Sequence, residues 1–105
     1  MTTTTTAAIA PPPERLNFAQ YLIELNAARS AKAAYVDDQG TLTYSGLADR
    51  VARVSGGLSA LGVRREERVL LAMHDCNDWP VAFLGALHAG IVPVAVNTLL
   101  TANDY

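Results

Sequence analysis

Residues 77–89 constrain the chain more than any other stretch. They carry Trp79, Val81, Ala82, Phe83, Leu84, Ala86, Leu87 and Ala89, and His88 is the only polar residue after the first turn. The length suits a helix, and a helix that is apolar on every side must be covered on every side. The flanking runs, 68–73 and 91–96, are nearly continuous apolar stretches of the kind that form strands buried on both faces. Two such strands joined through a helix predict a parallel strand-helix-strand unit with a right-handed crossover. The same span is too interrupted to cross a membrane, because Pro80, His88, Gly90 and Pro93 divide it into a helical half and a strand-like half.

The remaining elements are shorter. In RLNFAQYLIELNAA, Asn17 is the expected N-cap of a helix over 18–28, Gln20 would complete a capping box, and Phe18, Leu22 and Leu25 share one face. KAAYVDDQGTLTY reads as two short strands around an Asp37-Asp38-Gln39-Gly40 turn. Thr43 caps a second helix in which Leu47, Val51, Val54, Leu58 and Leu61 form an apolar stripe, while Arg50, Arg53 and the 64–67 cluster face solvent. Gly62 sits where a left-handed residue would end that helix in a Schellman motif closed by Val63. Thr101 and Asp104 have the T-x-x-D form of a further capping box.

Residues 1–13, with five consecutive Thr and three consecutive Pro, have too little apolar area to offset the entropy of ordering and are expected to be a disordered tail. Residues 14–105 are then one incomplete unit, because two buried strands and an all-apolar helix need more partner surface than two further helices and a hairpin supply. Left uncovered, Trp79, Phe83 and Leu87 would forfeit on the order of 5 to 9 kcal/mol, so the chain alone is expected to be unfolded, molten or associated.

Charge narrows the partners. Eight Lys plus Arg against ten Asp plus Glu give a net charge of -2, which lacks the basic footprint of a nucleic-acid or anionic-membrane binder. A single cysteine and the absence of a signal sequence point to the cytoplasm.

Few motifs carry chemistry. The one G-x-x-x-x-G, Gly85 to Gly90, lacks the Lys-Ser/Thr pair of a phosphate-binding loop, so its glycines are assigned to packing and helix capping. His74, Asp75 and Cys76 lie just past a strand end, where ligands gather in parallel sheets. With no second cysteine and no H-x-x-x-H, Cys76 is assigned to packing, and His88 to the favourable C-terminal end of its helix. Asp75, Asn77 and Asp78 are assigned to capping the helix that follows. No residue is assigned as catalytic or as a metal ligand. The other strand-end loop, 97–101, is the better ligand candidate, and Asn97 and Thr98 are its expected substrate-binding residues.

The succession LTYSGL at 42–47, LGV at 61–63, ERVLL at 67–71 and PVAFLGALHAGIVP at 80–93 resembles the opening of the adenylate-forming acyl- and aryl-CoA ligases, over about residues 16–105. Within them, NFAQYLIELN at 17–26, KAAYVDD at 32–38 and VAVNTLLT at 94–101 are most similar to benzoate-CoA ligases. The resemblance implies an α/β fold, the N-terminal portion of the large domain of an adenylate-forming enzyme. It implies a parent that activates an aromatic carboxylate with ATP and Mg2+ and passes the acyl group to CoA, in aromatic acid degradation. The partners would be the remainder of the ligase chain and these substrates, with a dimer one option for assembly. The phosphate loop, adenine and acid pockets, ribose-binding aspartate, hinge and C-terminal lysine of that family have no counterpart here, so the 105 residues alone are expected to be inactive and to bind none of ATP, CoA or Mg2+. Relatives place a basic residue near CoA in the loop matching 97–101; this sequence has Leu99 and Leu100 there. The alternatives are a fragment of a synthetase for fatty or hydroxybenzoic acids, and a non-catalytic α/β interaction module.

Overall fold

The computed structural model describes residues 11–104. Of the expected tail, residues 1–10 lie outside the described residues, and Pro11 to Pro13 are exposed without regular structure. The elements are α1 (Phe18–Leu25), β1 (Ala33–Asp37), β2 (Gly40–Thr43), α2 (Tyr44–Ala60), β3 (Arg68–Leu71), α3 (Asp78–His88) and β4 (Val92–Ala95), with short 3-10 turns at Ala27–Arg29 and Ala102–Asp104. The T-x-x-D box therefore opens only a single 3-10 turn, in which Asp104 Oδ2 accepts from the Thr101 amide at 3.1 Å and hydroxyl at 2.8 Å.

β1 and β2 form the expected antiparallel hairpin, and β3 and β4 the expected parallel pair, in register from Arg68 beside Val92 to Leu71 beside Ala95. Both helices that precede strands end in the same way. Gly62 (φ 87°) donates to Ser59 O and Val63 to Leu58 O, while Gly90 (φ 77°) donates to Leu87 O and Ile91 to Ala86 O. These are complete Schellman motifs, and each needs a residue that tolerates positive φ at the turning position.

The core lies where α1, α2, α3 and β2 meet and contains Ala19, Leu42, Leu47, Val51, Val81 and Leu84. α2 approaches α3 so closely that a Cβ placed on Gly85 would sit 2.5 Å from Val54 Cγ1 and 2.7 Å from Val54 Cβ. Gly85 is thus a packing residue, as its sequence context suggested.

Three expectations about burial are corrected. The α1 face turned inward carries Ala19, Leu22 and Ile23, while Phe18 and Leu25 are 52% and 59% exposed. Asn17 sets this rotation: it caps α1 through the Gln20 amide at 3.1 Å and donates from Nδ2 to Leu87 O at 2.9 Å and His88 O at 3.2 Å. Gln20 turns its side chain to Glu24 at 3.0 Å, so the second half of the capping box is not made, and α1 stops at Leu25 before the 3-10 turn. Along α2, only Leu47 and Val51 of the stripe are fully buried, and Leu61 is 80% exposed, because α2 runs on past the end of α3's cover.

The third correction concerns the sheet. Trp79, Phe83 and Leu87 are all partly covered, and Trp79 stacks on Phe83 with ring centroids 5.0 Å apart. Beside α3, the uncovered apolar surface lies instead on one face of β3 and β4, where Leu70, Val92 and Val94 are 64%, 42% and 37% exposed. α3 covers only the opposite face, carrying Val69, Leu71 and Pro93. The forfeited burial at these three side chains is on the order of 3 kcal/mol, less than the loss expected for an uncovered helix.

Two outcomes follow from this packing. Gly85→Ala would gain a few tenths to about 1 kcal/mol of helix propensity, but the clash is with the root of Val54, so overpacking of about 1–3 kcal/mol wins. The unfolding midpoint in urea should fall, and Val54→Ala should restore part of it in the double variant. The 105-residue chain alone should bind a hydrophobic dye or self-associate, and Leu70→Ser with Val94→Thr should reduce both signals, as read by fluorescence and sedimentation. A dye-silent monomer would exclude an exposed sheet face.

Candidate functional site

The parallel pair sends two loops from its carboxyl ends, 72–77 after β3 and 96–101 after β4, the position at which open α/β sheets bind ligands. Between them lies a groove of about 510 Å³, walled by Met73, His74, Asp75 and Trp79 on one side and by residues 95–99 on the other. Both expected substrate-binding residues are here. Asn97 is exposed and folds its own loop, accepting the Leu99 amide on Oδ1 at 2.8 Å; half-buried Thr98 brings Oγ1 to 3.5 Å from His74 Nδ1. Leu99, 86% exposed, reaches into solvent.

The other candidates separate. Cys76 is half-buried and free. His88 leaves the strand ends altogether, its Nδ1 lying 2.9 Å from Ser55 Oγ across the contact between α2 and α3. Among the described residues no three His, Cys, Asp or Glu side chains come together to hold a metal.

The capping assignment for Asn77 is corrected, while Asp78 stands in the first turn of α3, where an acidic side chain complements the positive end. Asn77 is helical (φ -59°, ψ -28°) and its side chain makes no cap bond; it donates instead to Gly40 O at 3.0 Å. The amide at the N-cap position, one residue before α3, is taken by the hairpin, since Asp37 Oδ2 accepts from the Asn77 N–H at 2.8 Å while Oδ1 accepts from the Gln39 and Gly40 amides at 2.8 and 3.0 Å. Asp78 pairs with Arg50 of α2, so Arg50 serves a helix junction as well as solvent. With both side chains well exposed, that pair contributes no more than about 1 kcal/mol. The sequence signal for Asp37 was its place in a D-D-Q-G turn, which accounts for one carboxylate oxygen and gives no hint of the other's partner 40 residues away.

The Asn77 amide above all, joined by the Gln39 and Gly40 amides and the Arg50 charge, holds the Asp37 carboxyl below its ordinary value against an opposing desolvation. A depressed folded-state value means that the stabilisation is fully present above the unfolded value, about 3.9, and is lost as pH falls through the folded one. Acid titration followed by Trp79 fluorescence should therefore show a transition below about pH 4 that Asp37→Ala removes.

The sequence profile of the AMP-binding enzymes matches residues 23–105. The chain belongs to the AMP-binding enzyme family. Among its relatives, the benzoate-CoA ligase of Thauera aromatica is 48% identical over 96 residues, which cover 89% of this chain and 18% of that protein. The 4-hydroxybenzoate-CoA/benzoate-CoA ligase of Rhodopseudomonas palustris is 45% identical over 96 residues, 90% of this chain and 18% of its own. The structure of a benzoate-CoA ligase from Burkholderia xenovorans LB400 superposes with a TM-score of 0.84 at 55% identity, over 87% of this chain and 19% of that one. The chain thus spans about 18% of the length of these curated relatives. Its α/β fold is that of a portion of the large N-terminal domain of adenylate-forming enzymes, as the sequence resemblance implied.

Proposed function

We propose that this sequence is the N-terminal segment of a cytoplasmic AMP-forming aryl-CoA ligase whose acid is benzoate or a close analogue. The observation that carries this is the 48% identity to a benzoate-CoA ligase along nearly the whole segment. In the parent, a carboxylate oxygen attacks the α-phosphorus of ATP and pyrophosphate leaves; the CoA thiol sulfur then attacks the acyl carbon and AMP departs with the bonding electrons. Both steps depend on positioning and on stabilising charge at the phosphates. Mg2+ would neutralise phosphate charge, and among the described residues no three His, Cys, Asp or Glu side chains gather to hold it. The contribution of these residues is a rim and a scaffold: Thr98 and Asn97 border the strand-end groove and contact substrate there, and α3 carries the strands that hold them. The remainder of the ligase chain supplies the reacting groups, and a homodimer is a compatible assembly.

A longer chain beginning with this sequence should release pyrophosphate from ATP when given benzoate, and a verified 105-residue preparation should not. Activity with fatty acids and none with aromatic acids would move the parent to another substrate class. In the longer chain, Thr98→Val should raise KM for one substrate several-fold with kcat little changed, the signature of lost uniform binding. An unchanged KM for acid, ATP and CoA alike would remove Thr98 from the site.

A further inference from the structure

We infer that Asp37 is a positioning residue for the strand-end groove: from the hairpin, it fixes the 73–79 segment by holding the backbone N–H of Asn77, the residue from which α3 starts. Three observations converge. α3 has no side-chain cap of its own, since Asn77 is already helical and turns its amide group to Gly40 O. The Asp37 carboxylate divides its oxygens, Oδ1 closing the hairpin turn on Gln39 and Gly40 and Oδ2 taking the Asn77 N–H. With the Asn77 side chain also donating to Gly40 O, the hairpin turn and the start of α3 are joined by two hydrogen bonds, both donated by Asn77, one to Asp37 and one to Gly40. The segment so held is the partition between two cavities. Asp75 and Trp79 wall both the groove beside Thr98 and a smaller one of about 310 Å³ against Tyr35 and Val36. A displacement of residue 77 therefore moves a wall of the groove, although Asp37 itself does not line it.

The chemistry of the two oxygens supplies a discriminating variant. Asp37→Asn can still place its one carbonyl oxygen on Gln39 and Gly40, but its Nδ2 then faces the Asn77 N–H, donor against donor. Asp37→Ala removes both functions. Amide exchange by mass spectrometry, in the intact protein carrying this segment, should resolve peptides covering 37–41, 73–79 and the core stretch 47–55. For Asp37→Asn, exchange should rise about tenfold in 73–79 and stay near the parent's in 37–41 and 47–55. For Asp37→Ala it should rise in both 37–41 and 73–79. Unchanged exchange in 73–79 for both variants would reduce Asp37 to a turn residue and overturn the inference. An equal rise in all three peptides would show a merely global loss of stability and overturn it too. No readout depends on activity, so a failed ligase assay leaves this test intact.

Discussion

The need to cover α3 on all sides organises everything else in the chain. Its apolar residues run round the whole circumference, and each neighbouring element meets a different part of it: α2 through Gly85 against Val54, α1 through Ala19 and the Asn17 amide, and the parallel strands through their covered face. Both ends are held by groups from elsewhere in the sequence. Asp37 takes the amide at the N-cap position, and Asn17 the carbonyls of Leu87 and His88 at the last turn. Orphan backbone groups at helix ends must find partners, and with an apolar helix body the polar partners are concentrated at the two ends. Hydrophobic burial thus supplies the attraction between elements, and a few directional bonds at the ends of α3 set their relative orientation.

Local rules were enough for the elements whose determinants are local. The hairpin, the Thr43 cap, both glycine-ended helices and the parallel pairing depend on residues within a few positions of each other or on the apolar run of a strand, and all are legible in the sequence. Which side of a helix faces inward is another matter. On α1, Phe18, Leu22 and Leu25 make the larger apolar stripe, yet Ala19 and Ile23 join Leu22 in the interface, because a small residue allows the close approach that Asn17 requires to reach Leu87 and His88. Volume complementarity with α3 outweighed the size of the stripe. Asp37 was read only as a turn former for a similar reason: nothing in a tetrapeptide reveals where a spare carboxylate oxygen will point.

The site was legible to the extent that topology defines it. Parallel strands with loops at their carboxyl ends imply a groove there, and Asn97 and Thr98 do border one. What the sequence could not supply was His74 opposite Thr98, or the route by which the hairpin acts on the same wall, since both join residues more than twenty positions apart.

The exposed face of β3 and β4 has a bearing on how catalysis is distributed over such a protein. A two-stranded parallel sheet covered on one side cannot be the rigid floor of an active site, because parallel strands gain their stability from cover on both faces. Here the open face carries Leu70, Val92 and Val94, and the strands end in loops without a cationic group or a metal-binding cluster among the described residues. In the proposed ligase, charge stabilisation at the phosphates would then fall to groups outside the described residues, brought against this rim by whatever covers that sheet face. Burial of the three side chains would then do two things with one contact: complete the sheet, and fix where the Thr98 loop stands relative to the element that covers it. The stability of the segment and the placement of its strand-end groove are coupled through the same few apolar residues.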